Sequence, residues 1–187
     1  MIERGPWKIV HTREIYRDPW IAVRVDDVLR PDGEPGIHSI IQIKPGVCVL
    51  ALDAERNVYL TEEFHYAVGR VTIEGVSGGI ESGETPLDTA RRELREELGL
   101  IATKWTELGF VDPFTANVVS PTALFLVQEL AFVETVHEGT ELIRRVRVPL
   151  AEAIQMLADG KITHAPTCIL LLRAYFSVDA GSNRPAP

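Results

Sequence analysis

One helix is written into the chain more firmly than any other element. Residues 84–98 read ETPLDTARRELREEL. Thr85 can cap this segment, Pro86 suits a first helical turn, and Asp88 favours the positive end of the backbone dipole. Gly99 is the expected stop, since glycine readily takes the left-handed conformation that ends a helix. With Glu93 set at zero, Glu97 falls at roughly +40° and Glu96 at roughly −60° around the axis. Ala90, Leu94, Leu98 and Leu87 lie between roughly +60° and +140°, an apolar stripe beside the three carboxylates. One side of the helix can therefore bury against a sheet while its edge gathers three like charges. Such pairs repel by about 0.2–0.5 kcal/mol each in water. Water and salt offset this on an open surface, and a hard divalent cation with oxygen ligands offsets it far more strongly. A cluster of glutamates alone, without Cys or a nearby His, favours Mg²⁺ or Mn²⁺ over Zn²⁺.

The segments before this helix read as strands. WKIVHTREIY and WIAVRVDDVLR are separated by RDP, and the breaker PDGEPG precedes IHSIIQIK. VCVLALD and NVYLTEEF flank AER as a hairpin, and VTIEGVSGGIE is a strand running into glycines. Beyond the helix, strands are expected near 104–111 and 119–132, with the irregular DPFTANVVSP between them. ELIRRVRV alternates as another strand, PLAEAIQMLADGK is a short helix stopped by Gly160, and APTCILLLRAYF is a last helix. Many strands, a helix, more strands and then helices make an α+β fold or a three-layer α/β/α sandwich rather than an alternating parallel array. Residues 1–44 are expected to form an added β subdomain and 45–177 the main domain, with 178–187 a disordered tail.

The net charge of −8 argues against a nucleic-acid or anionic-membrane surface, both of which need a basic patch. It leaves room for an anionic substrate held through a metal. Cys48 and Cys168, the two cysteines, lie in the apolar runs VCVLAL and TCILLL and are expected to be buried and reduced. The N-terminal MIERGPWKIV lacks an apolar signal core and no run reaches membrane-spanning length, so a cytoplasmic location is expected.

The spacing from Gly78 to Leu100 resembles the Nudix box. That pattern is Gly, five residues, Glu, seven residues, then Arg-Glu-apolar-x-Glu-Glu-x-Gly-apolar. It is filled here by Gly78, Glu84, Arg92, Glu93, Leu94, Glu96, Glu97, Gly99 and Leu100. At average residue usage a chance match falls below roughly one in a hundred million per start point. The resemblance implies a Nudix-type α/β/α sandwich with a mixed sheet, and hydrolysis of a phosphoanhydride. It implies that Glu93, Glu96, Glu97 and the carbonyl of Ser77 hold Mg²⁺ or Mn²⁺, while Glu84 and Arg92 orient the cluster. Gly78 and Gly79 would let the backbone come close to metal and phosphate.

The wider sequence resembles the ADP-ribose pyrophosphatase and nucleoside-diphosphate-sugar branch of that family. It implies an N-terminal β subdomain exchanged across a homodimer, and a substrate-side glutamate at Glu74. Where that branch carries Gln-Tyr-Arg, this chain has Glu63-Phe64-His65-Tyr66, so His65 either replaces the arginine toward substrate or is structural. DPFTANVVSPT lacks the proline-glycine and acidic residue of many ADP-ribose hydrolases. A catalytic base is expected from Glu141 or Glu138 in HEGTELIRR, or from Glu93 itself. Trp7, Tyr16 and Trp20 are either packing residues or platforms for a nucleobase. The expected substrate is ADP-ribose or another nucleoside-diphosphate sugar, cleaved to a nucleoside monophosphate and a sugar phosphate. The alternatives are a non-catalytic ADP-ribose-binding module, or a hydrolase of dinucleotides or other nucleotides.

Overall fold

The computed structural model describes residues 1–134 and 142–180. The chain divides into two units, Met1–Pro45 with Asp112–Pro121, and Gly46–Val111 with Thr122–Pro187. The first unit is one five-stranded sheet in the order β1-β2-β3-β4-β10. Its strands are β1 (Ile2–Arg4), β2 (Trp7–Arg17), β3 (Ile21–Leu29), β4 (Pro35–Ile43) and β10 (Val118–Val119). β1 to β4 run antiparallel in chain order, whereas β10 joins β4 in parallel, with Val118 opposite Ile41. β1 falls in a stretch without a strand signal, since the two-residue Gly5-Pro6 turn leaves it only three residues long. Val28 and Ile40 are the buried apolar residues of this unit, beside a buried Asp26 that accepts a 2.8 Å bond from Thr12 Oγ1. Ile2, Val10, Ile15, Trp20 and Ile37 are all more than half exposed.

The second unit has a seven-stranded mixed sheet, β12-β6-β5-β11-β9, with β7 added to β6 and β8 added to β5. The strands are β5 (Gly46–Leu52), β6 (Asn57–His65), β7 (Arg70–Glu74), β8 (Val76–Gly79), β9 (Leu100–Val111), β11 (Thr122–Phe132) and β12 (Arg144–Pro149). The helices are α1 (Pro86–Leu98), α2 (Leu150–Ala158) and α3 (Ala165–Ala180). β5 is buried on both faces, and its alternation feeds two cores. Val47, Val49 and Ala51 pack with Ala90, Leu94 and Leu98 of α1. Cys48, Leu50 and Leu52 pack with Leu150 of α2 and with Leu170, Leu171 and Ala174 of α3. This is the expected α/β/α sandwich, and β5 forms a parallel pair with β11 and antiparallel pairs with β6 and β8.

Several boundaries differ from the sequence reading. VTIEGVSGG is two strands, broken at Gly75, where a Cβ would press on Val49 O at 3.0 Å and Cys48 Sγ at 3.1 Å. The strand expected from 119 is interrupted at Ser120-Pro121, proline having no N–H for a ladder. Cys168 is only half-buried, whereas its neighbour Thr167 in the same first turn of α3 is the residue that turns inward. α3 runs to Ala180, so residues 178–180 of the expected tail are helical. No described helix is long and apolar enough to cross a membrane.

Candidate active site

α1 begins as its sequence demands. Thr85 Oγ1 accepts from the Asp88 N–H at 3.2 Å, and the Asp88 carboxylate accepts from the Thr85 N–H at 3.3 Å, closing a reciprocal cap. Gly99 ends the helix at φ 58°, its N–H bonding Arg95 O at 3.0 Å. Ala90, Leu94 and Leu98 are buried, while Glu93, Glu96 and Glu97 remain half-buried along the neighbouring edge.

Arg92 is the hub of that edge. Its Nε and Nη2 donate to the two oxygens of Glu84 at 2.9 and 3.1 Å, a fork-to-fork pair. Nη1 donates to Glu93 Oε1 at 2.8 Å and Glu96 Oε2 at 3.0 Å. Glu84 also accepts from Thr89 Oγ1 at 2.7 Å. The Arg92 guanidinium is the main cause that pulls the Glu84 carboxyl down to about 2, with Thr89 adding to it. Glu84 in turn is the largest cause raising the Arg92 pKa. Glu84 and Arg92 are thus paired, as their spacing in the sequence suggests.

β8 faces this edge. Its Gly46↔Gly79, Val47↔Gly78 and Cys48↔Ser77 pairing with β5 fixes the Ser77–Gly79 backbone beside α1. A Cβ at Gly78 would overlap the Glu93 carboxylate, so the glycine makes the seat on which that side chain lies. Gly79 O is 3.5 Å from Arg92 Nη2. Among the described residues, no three His, Cys, Asp or Glu side chains converge as a set ready for a metal ion. Glu93 and Glu96 close on Arg92 instead. Glu138 and Glu141 lie outside the described residues.

Glu74 and His65 are brought together, with a partner that sequence reasoning missed. Glu74 Oε1 accepts from Thr72 Oγ1 at 2.6 Å and lies 3.4 Å from His65 Nε2. Glu74 Oε2 is 3.1 Å from His164 Nδ1, which also lies 2.8 Å from Thr167 Oγ1. Which way the proton lies between Nδ1 and these two oxygens follows the tautomer of the His164 ring. Burial lowers the His164 pKa, with Glu74 opposing and His65 reinforcing that shift. Thr167, fully buried, accepts from the Gly75 N–H at 2.9 Å and so ties the start of α3 to the backbone entering β8. Glu74 is thereby engaged within the protein, its side chain 13% exposed, while His65 in front of it is 40% exposed. The only local signal for His164 and Thr167 was their place at a helix start.

Cys48 borders both groups. Burial raises its thiol to about 12, with the charges of Glu74 and Glu97 adding to that rise and hydrogen bonds with Ser77 and Thr167 opposing it. It stays protonated at neutral pH and is no nucleophile. The arrangement therefore offers carboxylates, imidazoles and close backbone approach, the equipment of hydrolysis rather than of thiol chemistry.

Comparison with known proteins agrees with this geometry. A family model described as NUDIX domain matches residues 42–168, and one described as nucleoside diphosphate sugar hydrolase N-terminal domain matches residues 7–41. An ADP-ribose pyrophosphatase of Bacillus subtilis (strain 168) is 29% identical over 164 residues, covering 86% of this chain and 88% of the relative. An ADP-ribose pyrophosphatase of Mycobacterium tuberculosis (strain ATCC 25618 / H37Rv) is 28% identical over 182 residues, covering 95% and 84%. A crystal structure of an ADP compounds hydrolase superposes with a TM-score of 0.83 at 20% identity over 99% of this chain and 100% of the other, a match of fold.

Proposed function

The chain belongs to the Nudix family, and from that premise we infer that it is a metal-dependent pyrophosphatase of ADP-ribose or a related nucleoside-diphosphate sugar, releasing a nucleoside monophosphate and a sugar phosphate. It is a Nudix hydrolase. The substrate class is supported by the two ADP-ribose pyrophosphatase relatives and by the match of residues 7–41 to the nucleoside diphosphate sugar hydrolase N-terminal domain.

The observation that carries the reading is the junction of β8 and α1. Glu93 rests on Gly78, and Glu93 and Glu96 share Arg92 Nη1. The donors fit a hard divalent cation in kind: carboxylates of Glu93, Glu96 and Glu97 with the Ser77 carbonyl, all oxygen. Mg²⁺ or Mn²⁺ bound there would neutralise pyrophosphate charge and acidify a water. Glu84 holds Arg92, Arg92 holds Glu93 and Glu96 in register, and Gly79, without a side chain, lets the phosphates come close to the backbone. Glu93 or Glu97 takes the proton of the attacking water, with Glu138 and Glu141 as the remaining candidate bases. His65, backed by Glu74, faces the substrate.

In this reading residues 1–44 form a dimerisation subdomain and 45–177 the hydrolase domain. The exposed apolar residues of the first unit support a homodimer, since a lone sheet with two buried apolar residues needs a second layer.

A panel of ADP-ribose, other nucleoside-diphosphate sugars and dinucleotides with Mg²⁺ and Mn²⁺ tests the assignment. AMP and ribose 5-phosphate are the expected products of ADP-ribose. Absence of nucleoside monophosphate from every sugar nucleotide overturns it.

A further inference from the structure

The geometry points to a second anion site on the other side of α1, where Arg91, Arg95 and Trp105 take a phosphomonoester. A groove of about 580 Å³ runs there, lined by Arg91, Arg92, Arg95, Glu96, Ile101 and Trp105 among others. That volume lies within the roughly 300–1,000 Å³ typical of small-molecule sites. With the charge of Arg92 met on the acidic edge, Arg91 and Arg95 are the guanidiniums that make the groove basic on a chain whose net charge is −8. Arg92 and Glu96 satisfy each other at 3.0 Å and belong to the acidic edge. Arg91 and Arg95 sit four residues apart on the same face, roughly opposite Glu93 at 100° per residue, and like charges so placed repel. No described residue hydrogen-bonds or ion-pairs with the Arg95 guanidinium. A phosphate dianion between two planar guanidiniums would relieve that repulsion with paired charge-assisted bonds.

The floor is built for the organic part of such a ligand. The Trp105 indole N–H donates to Ala102 O at 2.9 Å, and its ring meets Phe125 edge-on at 6.1 Å, so the indole is fixed from behind. Its open face carries Arg91, with the guanidinium carbon 5.7 Å from the ring centroid. Ile101 beside it is 46% exposed. A phosphomonoester with a planar or apolar body matches both halves of this surface.

The test uses the full chain in metal-chelating buffer, so that the acidic edge binds no phosphate through a metal. The Trp105 indole N–H resonance, identified by its loss in Trp105→Phe, is followed while inorganic phosphate, AMP or adenosine is added. Saturable shifts with AMP and with phosphate, AMP binding the tighter, and none with adenosine are expected. Arg91→Gln with Arg95→Gln should weaken AMP binding by about tenfold or more, the scale of a lost charge-assisted contact. The same double variant keeps its thermal midpoint and its turnover, since neither residue belongs to the acidic edge. No saturable shift, an equal shift from chloride at matched ionic strength, or unchanged binding in the double variant overturns the site. Because turnover plays no part in the binding measurement, failure here leaves the pyrophosphatase assignment standing, and failure there leaves this site standing.

Discussion

The Nδ1 of His164 lies 3.1 Å from Oε2 of Glu74, joining the start of α3 to the end of β7. Burial outweighs the attraction of that carboxylate, and the His164 pKa falls below its ordinary 6.5. The folded protein therefore binds fewer protons here than the unfolded chain between the folded value and 6.5. The stability this gives is complete above 6.5 and is lost as pH falls toward the folded value. Urea melts of wild type and His164→Asn from neutral to mildly acidic pH should show a shallower acid loss in the variant. Parallel curves would refute the assignment.

Thr167 should be a positioning residue of measurable weight. Thr167→Val keeps the shape but leaves the Gly75 N–H without its acceptor, at a cost of about 1–3 kcal/mol. Thr167→Ser retains the oxygen and should recover most of the loss. Denaturant midpoints for the three proteins measure this, and valine and serine variants of equal stability would contradict it.

Gly78→Ala should displace the Glu93 side chain. Because the new methyl overlaps the carboxylate, either the strand or the side chain must move. A stability loss of about 1–3 kcal/mol is expected from the overpacking, together with a marked fall in turnover. A crystal structure of the variant with Glu93 still on residue 78 would count against this account.

Glu97→Gln should lower turnover by about a hundredfold or more, the scale of damage at or beside a metal-binding group. The thermal midpoint should stay near wild type, because the side chain lies on the half-buried edge and not in the core. Turnover at saturating Mg²⁺ close to wild type would remove Glu97 from the site.

Glu84 gives an acid limb. Its carboxyl, at about 2 in the fold against its ordinary 4.5, is a depressed acid. Its stabilisation is therefore present above 4.5 and disappears as pH falls from 4.5 to about 2. Glu84→Gln should be less stable at neutral pH and less sensitive across that acid window, as read by calorimetry.

What was legible in the sequence follows how local the determinants are. α1 could be read to the residue, because Thr85, Pro86, Asp88 and Gly99 act within a turn of the helix ends. The pairing of Glu84 with Arg92 was legible through the fixed spacing of the box. Val118–Val119 was not legible as a separate strand of the first unit, since its parallel partner, Ile41–Gln42, is remote in the chain. The meeting of Glu74 with His164 was hidden for the same reason, as it depends on where α3 docks. VTIEGVSGGIE reads in sequence as one strand running into glycines. The break falls at Gly75 because Val49 O and Cys48 Sγ leave no room for a side chain there.

One guanidinium serves Glu84, Glu93 and Glu96 at once. Two carboxylates of the edge thus hang on one side chain that is itself anchored at Glu84. A change at position 92 would slacken both together, so the edge responds to substitution there as a unit and not residue by residue.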